Sequence, residues 1–384
     1  RQMYDENGRI MATHYWREDM NGVDWDGVLK RYRPLVDLCH VVDDLHDILW
    51  ETVAELNTSH SYVSTPGAGG DSDMRAGLLG ADVSSEAGGA KVVRVIPGES
   101  SDPHAWSPLR AAGVAIGDGD VIIAVDGRKI GVDGGLGELL EGSAGRVVEL
   151  TVRRGEEERR VAVVPMADEA ALRYHDWVAS RRRYVEERSD GRLGYLHVPD
   201  MVSDGWAELH RQIGEATRHE GVIADVRFNH GGHTSQLVVE RLARKVIGWD
   251  RSRWYATAVT YPQNAVRGPI VMVTNQWAGS DGDIVGAVTQ AMGYAKVIGE
   301  RSWGGVVGID GRFDLVDGTG VTQPRYAGWY GDYGWGVENH GVDPDIVVTV
   351  SPEDWESASD VQLDAAIAEC LRQLDEKSAA TPPE

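Results

Sequence analysis

Thr274-Asn-Gln-Trp-Ala-Gly-Ser-Asp-Gly282 joins two segments of opposite character. Ahead of it, Gly268-Pro-Ile-Val-Met-Val273 reads as a buried strand; behind it, Ile284, Val285, Ala287 and Val288 recur at helical spacing. A serine at such a strand-to-helix corner lies at the carboxyl edge of a sheet, with backbone N–H groups at a helix start where negative charge is favoured. That is the geometry of an acyl-transfer nucleophile. The pattern is not Gly-x-Ser-x-Gly, because Ala278 opens it. The alternative is a serine that caps its helix, with Asp281 and Asp283 stabilising the first turn.

Working outward, the chain from Asp168 onward alternates helix and strand. A charged helix to about Arg188 precedes a strand at Leu193–Val198, a helix at Gly205–Arg218, a strand at Gly221–Phe228 and a helix at Ser235–Ile247. Ala295-Lys-Val-Ile-Gly299 is a further strand. This predicts a layered α/β domain with a mainly parallel sheet, whose working edge lies at the strand carboxyl ends. At that edge Arg227-Phe-Asn-His-Gly-Gly-His-Thr234 opens the Ser235 helix. Its glycines let backbone N–H groups approach a substrate oxygen. The N–H groups of Gly232 and Asp281 would form an oxyanion hole beside Ser280; a double glycine in a tight turn is the alternative.

Toward the N-terminus, Ser64-Thr-Pro-Gly-Ala-Gly-Gly-Asp-Ser-Asp73 is small and polar and reads as a linker. Before it, Val41–Leu56 places Leu45, Ile48, Leu49, Thr52, Val53 and Leu56 on one helical face. After it come short β segments at Lys91–Ile96, Val121–Val125, Arg146–Arg153 and Arg159–Val164. The expected domains are 1–74 (helical, carrying a histidine loop), 75–168 (β-rich) and 169–384 (α/β, carrying the nucleophile).

With 384 residues and a formal charge of −23, the chain repels nucleic acid and anionic membrane and attracts basic peptides. No stretch has the apolar length of a membrane span. Two cysteines, Cys39 and Cys370, are too few for a disulfide scaffold and point to a reducing, cytoplasmic setting; neither sits in a metal-site spacing. A chain opening on Arg1 reads as a piece or processed product of something longer.

Ser280 needs a base, and there are twelve histidines. His230 and His233 lie near the oxyanion loop, where solvent or substrate meets them more readily than a buried acid. His60 has Ser59 before it, which can relay a hydrogen bond from an acid to the imidazole.

Pro108–Gly117 and Asp118–Ile130 resemble the PDZ pattern, with Gly77-Leu-Leu-Gly-Ala81 as the loop that would receive a peptide C-terminus; a spacer or lid is the alternative. Across the whole chain, the order of Asn57–Tyr62, the PDZ-like insertion, Asn229–Gly232, Gln276–Asp281 and Gly336–Ile346 resembles the protease portion of the tricorn family. These are S41-type serine peptidases related to the tail-specific processing proteases. No propeller-like repeats accompany it.

The resemblance implies an α/β serine-protease domain with an N-terminal helical segment and an inserted PDZ-like β-rich domain. It implies Ser280 as nucleophile and His60 as general base, with Ser59 and Glu338 orienting the imidazole. Gly232 and Asp281 become the oxyanion donors. Asp250, read as the end of the Ser235 helix, is the acid that selects a basic residue before the scissile bond; pairing with Arg251 or Arg253 is the alternative. Tail-specific relatives use a downstream lysine as base, but Gly305 stands at the matching place and Lys296 reads as solvent-facing. The expected protein is a cytoplasmic peptidase of short or unfolded peptides, a hexamer, working through an acyl-enzyme without metal or organic cofactor. The competing class is a non-catalytic peptide- or ligand-binding module on the same fold.

Overall fold

The computed structural model describes residues 1–65, 74–254, 256–357 and 359–383. The chain divides into two compact units, one made of Arg1–Gly67 with Arg182–Glu384, the other of Ala68–Arg181.

In the first unit, five parallel strands run in the order Ile346–Val347, Ala295–Gly299, Ile270–Thr274, Gly221–Asp225, Leu193–His197. The three strands Leu193–His197, Gly221–Asp225 and Ile270–Thr274 are buried at every position, as a parallel sheet covered on both faces requires. Val222, Ala224, Ile270, Met272 and Val297 share one core with Leu209 and Ile213 of helix Ser203–Ala216, Val238 of helix Ser235–Leu242 and Val285 of helix Asp281–Met292. Strand residues of opposite parity face the other way, where helix Val361–Glu376 packs on the sheet.

The N-terminal helices Gln2–His14, Trp25–Val36 and Val42–Ala54 gather a separate core in the same unit, closed by Val63, Leu315 and Val321. Leu45, Ile48, Leu49, Val53 and Leu56 all belong to it, so the apolar stripe is the packing face. Just beyond the last of these helices, the two-residue strand Val63–Ser64 pairs antiparallel with Gly320–Val321. The histidine loop is thereby pinned to a segment from the far end of the chain.

The second unit is an antiparallel sheet in the order Ala81–Glu86, Gly89–Val95, Val121–Val125, Val148–Arg154, Glu157–Val163, with Arg128–Lys129 paired to Val121–Val125. Val92, Ile122, Leu150 and Val152 lie in its core. The strand Ala81–Glu86 has no counterpart in the sequence reading, because it is a polar edge strand with no buried position to mark it. In the loop Gly77–Ala81, the N–H groups of Gly77, Leu78 and Gly80 already donate to Leu140 O, Met166 O and Glu169 Oε2. A peptide carboxylate would find those three donors occupied. Most of the Ser64–Asp73 linker lies outside the described residues.

One helix differs from expectation. Ser235–Leu242 stops five residues short of Ile247, and Gly248–Asp250 is instead a strand paired antiparallel with Val259–Tyr261. Asp250 is therefore on a β-hairpin and exposed. It makes no ion pair with Arg251 or Arg253 among the described residues.

Candidate active site

Ser280 stands between strand Ile270–Thr274 and helix Asp281–Met292 with φ 58° and ψ −121°, a conformation in which a residue with a Cβ is strained. It occupies the N-cap position, yet its side chain makes no capping hydrogen bond. The capping explanation of this serine fails on that point. Its carbonyl closes the first turn, accepting from Asp283 and Ile284 N–H.

The two acids of that turn serve neighbouring segments. Asp281 Oδ2 accepts from the N–H of Ser235 at 3.1 Å, linking the serine helix to the start of the helix Ser235–Leu242. Burial raises its carboxyl above the ordinary value. Asp283 is fully buried; its Oδ1 accepts from Ser302 Oγ and, at 2.8 Å, from Gly304 N–H, while Oδ2 has no partner among the described residues. Burial, only partly opposed by those donors, pushes this carboxyl up to about 6.

The glycine loop lies against the serine. A methyl group at Gly231 (φ 75°) would sit 2.5 Å from Ser280 Cβ, so only glycine fits. Asn229 holds the loop from inside: its Nδ2 donates to Val198 O, its Oδ1 accepts from Gly231 N–H, and its carbonyl accepts from Gly279 N–H. Gly232, at φ 146°, sits against Met201. The N–H groups of Gly232 and Asp281 have no acceptor among the described residues.

His60 is buried, with φ 61°. Its Nδ1 lies 2.9 Å from Val307 O and 3.3 Å from Ser59 Oγ. A carbonyl oxygen only accepts, so Nδ1 carries the proton and the lone pair is on Nε2. Ser59 Oγ donates to Glu338 Oε2 at 3.0 Å, and Glu338 also accepts from the N–H groups of Ser59 (2.6 Å), Val306 (2.8 Å) and Val307 (3.0 Å). Glu338, Ser59 and His60 are thus brought together as a chain. Burial lowers the imidazole below its ordinary value, opposed by the Val307 carbonyl and the Glu338 charge, so the ring is a neutral base near pH 7.

Trp303 connects the two halves and has no part in the sequence reading. Its ring meets His60 edge-on at 5.6 Å, and a methyl group at Gly279 would lie 2.8 Å from its Cε3. Its main-chain N–H donates to Ala278 O. The only trace in the sequence is a tryptophan ahead of two glycines, which names no role. His230 and His233, the other candidates, are exposed, and neither ring has a hydrogen bond among the described residues. Lys296 is exposed and paired to Asp345 at 3.1 Å. Asp250, on its hairpin, is not among the residues that these contacts gather. No group of three or more His, Cys, Asp or Glu placed to hold a metal ion occurs among the described residues.

A parallel α/β sheet with an uncapped serine at its carboxyl edge and a separate β unit defines a recognisable class. Residues 192–348 match the peptidase family S41. Within it the likeness is to tricorn protease: residues 77–168 match the tricorn protease PDZ domain and residues 1–54 the tricorn protease C1 domain. Tricorn protease homolog 1 of Streptomyces coelicolor is 58% identical over all of this chain and 36% of its own length. Tricorn protease of Thermoplasma acidophilum is 38% identical over 97% of this chain and 35% of its own. A crystal structure of tricorn protease superposes with a TM-score of 0.90 at 38% identity, over 97% of this chain and 36% of that one. The chain spans about a third of the length of these relatives.

Proposed function

We propose that this chain is a serine peptidase that hydrolyses short or unfolded peptides through an acyl-enzyme. Its Ser280 is the nucleophile, His60 the general base, Ser59 and Glu338 the groups that orient the imidazole, and Gly232 and Asp281 N–H the oxyanion donors. The observation that carries the reading is the Glu338–Ser59–His60 chain, in which Nδ1 is committed to the Val307 carbonyl and Ser59. That leaves Nε2 as the basic atom. The match of residues 192–348 to the S41 family and the uncapped Ser280 support it.

In this mechanism Ser280 Oγ bonds to the scissile carbonyl carbon as its proton passes to His60 Nε2. The carbonyl π pair moves to oxygen, where the two N–H groups stabilise it. Collapse breaks the C–N bond, and Nε2 returns the proton to the leaving amine. Water then attacks the acyl-serine by the same route and frees the peptide's new carboxylate. Glu338 orients the imidazole through Ser59 and takes no proton in the reaction.

The finer parts of the proposal rest on resemblance: a basic residue before the cleaved bond, selected by Asp250, and a cytoplasmic homo-oligomer of six chains. Because Asp250 is exposed here, the preference requires an additional surface to cover it. Labelling with an active-site-directed phosphonate or chloromethyl ketone, followed by mapping the modified residue, tests the centre of the reading. Modification at Ser280, abolished in His60→Ala, is expected. Labelling elsewhere, or a Ser280→Ala variant with activity within a few-fold of the parent, would remove Ser280 from the mechanism and favour the non-catalytic binding module.

A further inference from the structure

At the amino edge of the parallel sheet lies a groove of about 1260 Å³ whose lining includes Arg218, Arg251, Arg253 and Arg267. Arg218 and Arg267 sit just before strands Gly221–Asp225 and Ile270–Thr274, whereas Ser280 follows the latter strand at its carboxyl end. The two sites are thus separated by the length of a five-residue strand, roughly 16 Å. The groove is not part of the candidate active site.

Its charge is anomalous for this molecule. The chain has 61 acidic residues against 38 basic ones, so any arginine has carboxylates to choose from. Among the described residues, none of these four arginines forms an ion pair. Instead Arg251 donates to Pro383 O at 3.1 Å, and Arg267 donates to Ala380 O at 3.3 Å and Arg218 O at 2.8 Å. Arg253 lies over the Trp254 ring at 4.1 Å. Main-chain carbonyls and an aromatic face hold the guanidinium groups of Arg251, Arg267 and Arg253 without neutralising them, and a guanidinium does not shed its proton. Trp249 and Asn264 complete the wall with an indole and an amide.

We propose that this groove is a binding site for a small oxyanion bearing two or more negative charges. The shared chemistry is that of phosphoryl groups and clustered carboxylates, both of which match the planar fork of arginine. The site is an open groove rather than a closed cavity, so it admits anions larger than a single phosphate. Bound there, the anion would tie the hairpin of Gly248–Asp250 to the turn before Gly221 and to the C-terminal segment, since Arg218, Arg251 and Arg267 come from or hold these three places.

The experiment is titration of the whole chain with sodium triphosphate and, separately, with citrate, at constant ionic strength, by calorimetry and thermal melting. Arg218→Gln and Arg253→Gln are run beside the parent. Saturable binding and a rise in Tm are expected in at least one arm, with affinity at least tenfold weaker in each variant. Triphosphate alone would identify a phosphoryl ligand, citrate alone a carboxylate ligand, and both together a site that reads charge. Without anion, each variant should melt close to the parent, because neither arginine forms an ion pair among the described residues. Absence of saturable binding in both arms, or binding kept within twofold in both variants, would overturn the proposal.

Discussion

Asp283 puts a carboxylate where water does not reach it, one turn from the serine. Its carboxyl is raised to about 6, so the folded state holds the proton more tightly than the unfolded chain does. The resulting stabilisation is complete below the ordinary carboxylate value and is lost as pH rises through about 6. A carboxyl displaced this far contributes on the order of 3 kcal/mol. Asp283→Asn keeps an acceptor for Ser302 and Gly304 and has no charge to lose. Its stability in urea should therefore match or exceed the parent's at about pH 8, with the difference narrowing or reversing at about pH 4. A constant difference between the two would show that the carboxyl titrates normally. At Glu338 four donors converge on one carboxylate. Glu338→Gln turns one acceptor into a donor facing N–H groups, at a cost of about 1–3 kcal/mol. Its kcat should fall, though by less than in His60→Ala, because the acid orients the ring without exchanging the proton. Steady-state kinetics with melting curves on both variants checks this. Gly231→Ala adds a methyl group against Ser280 at a left-handed backbone position, and should depress kcat/KM by orders of magnitude with a measurable drop in Tm.

At the scale of elements, the candidate site is a meeting of loops held by their neighbours. Trp303 packs against both the His60 ring and Gly279, and Tyr62 meets His60 from another side at 5.8 Å. Removing the indole in Trp303→Ala would let water reach the imidazole, whose proton affinity is lowered chiefly by burial. The groups facing that ring are Glu338, Ser59, the Val307 carbonyl and Tyr62, none of which the substitution alters. The imidazole value should then rise, moving the acidic limb of kcat/KM to higher pH, and Trp303→Phe should restore most of the parent's profile. An unmoved limb with lower kcat would mean that the indole only packs. The elements legible in the sequence are those with their own period or punctuation. Ile270–Thr274 with its helix, and Ala295–Gly299, are readable because a buried strand is a continuous apolar run. The Ser235 helix reads too long because Arg241–Ile247 carries no glycine or proline to stop it. What stops it is pairing of Gly248–Asp250 with Val259–Tyr261, which no local signal announces. Ser59, His60 and Glu338 can be joined only through resemblance, because nothing near His60 in sequence points to an acid so far away.

Across the whole molecule, the two compact units each bury a core of their own. A fragment of residues 74–168 should accordingly unfold cooperatively by itself, with sigmoidal loss of circular dichroism in urea; a non-cooperative slope would show that its core of Val92, Ile122, Leu150 and Val152 needs the rest of the chain. The net charge of −23 makes a second demand. For peptides carrying Arg or Lys, kcat/KM should fall as salt rises, and for neutral peptides of equal length it should change far less. The pairing of Val63–Ser64 with Gly320–Val321 has a temporal meaning. Ser59 and Glu338 are 279 positions apart, so on a ribosome the first is made long before the second exists. Until the stretch around Val307 and Glu338 emerges and folds back, the imidazole has neither its carbonyl acceptor nor its acid. On the proposed mechanism the nascent chain is therefore born harmless, and any ability to cut arrives only as the two distant stretches close on each other.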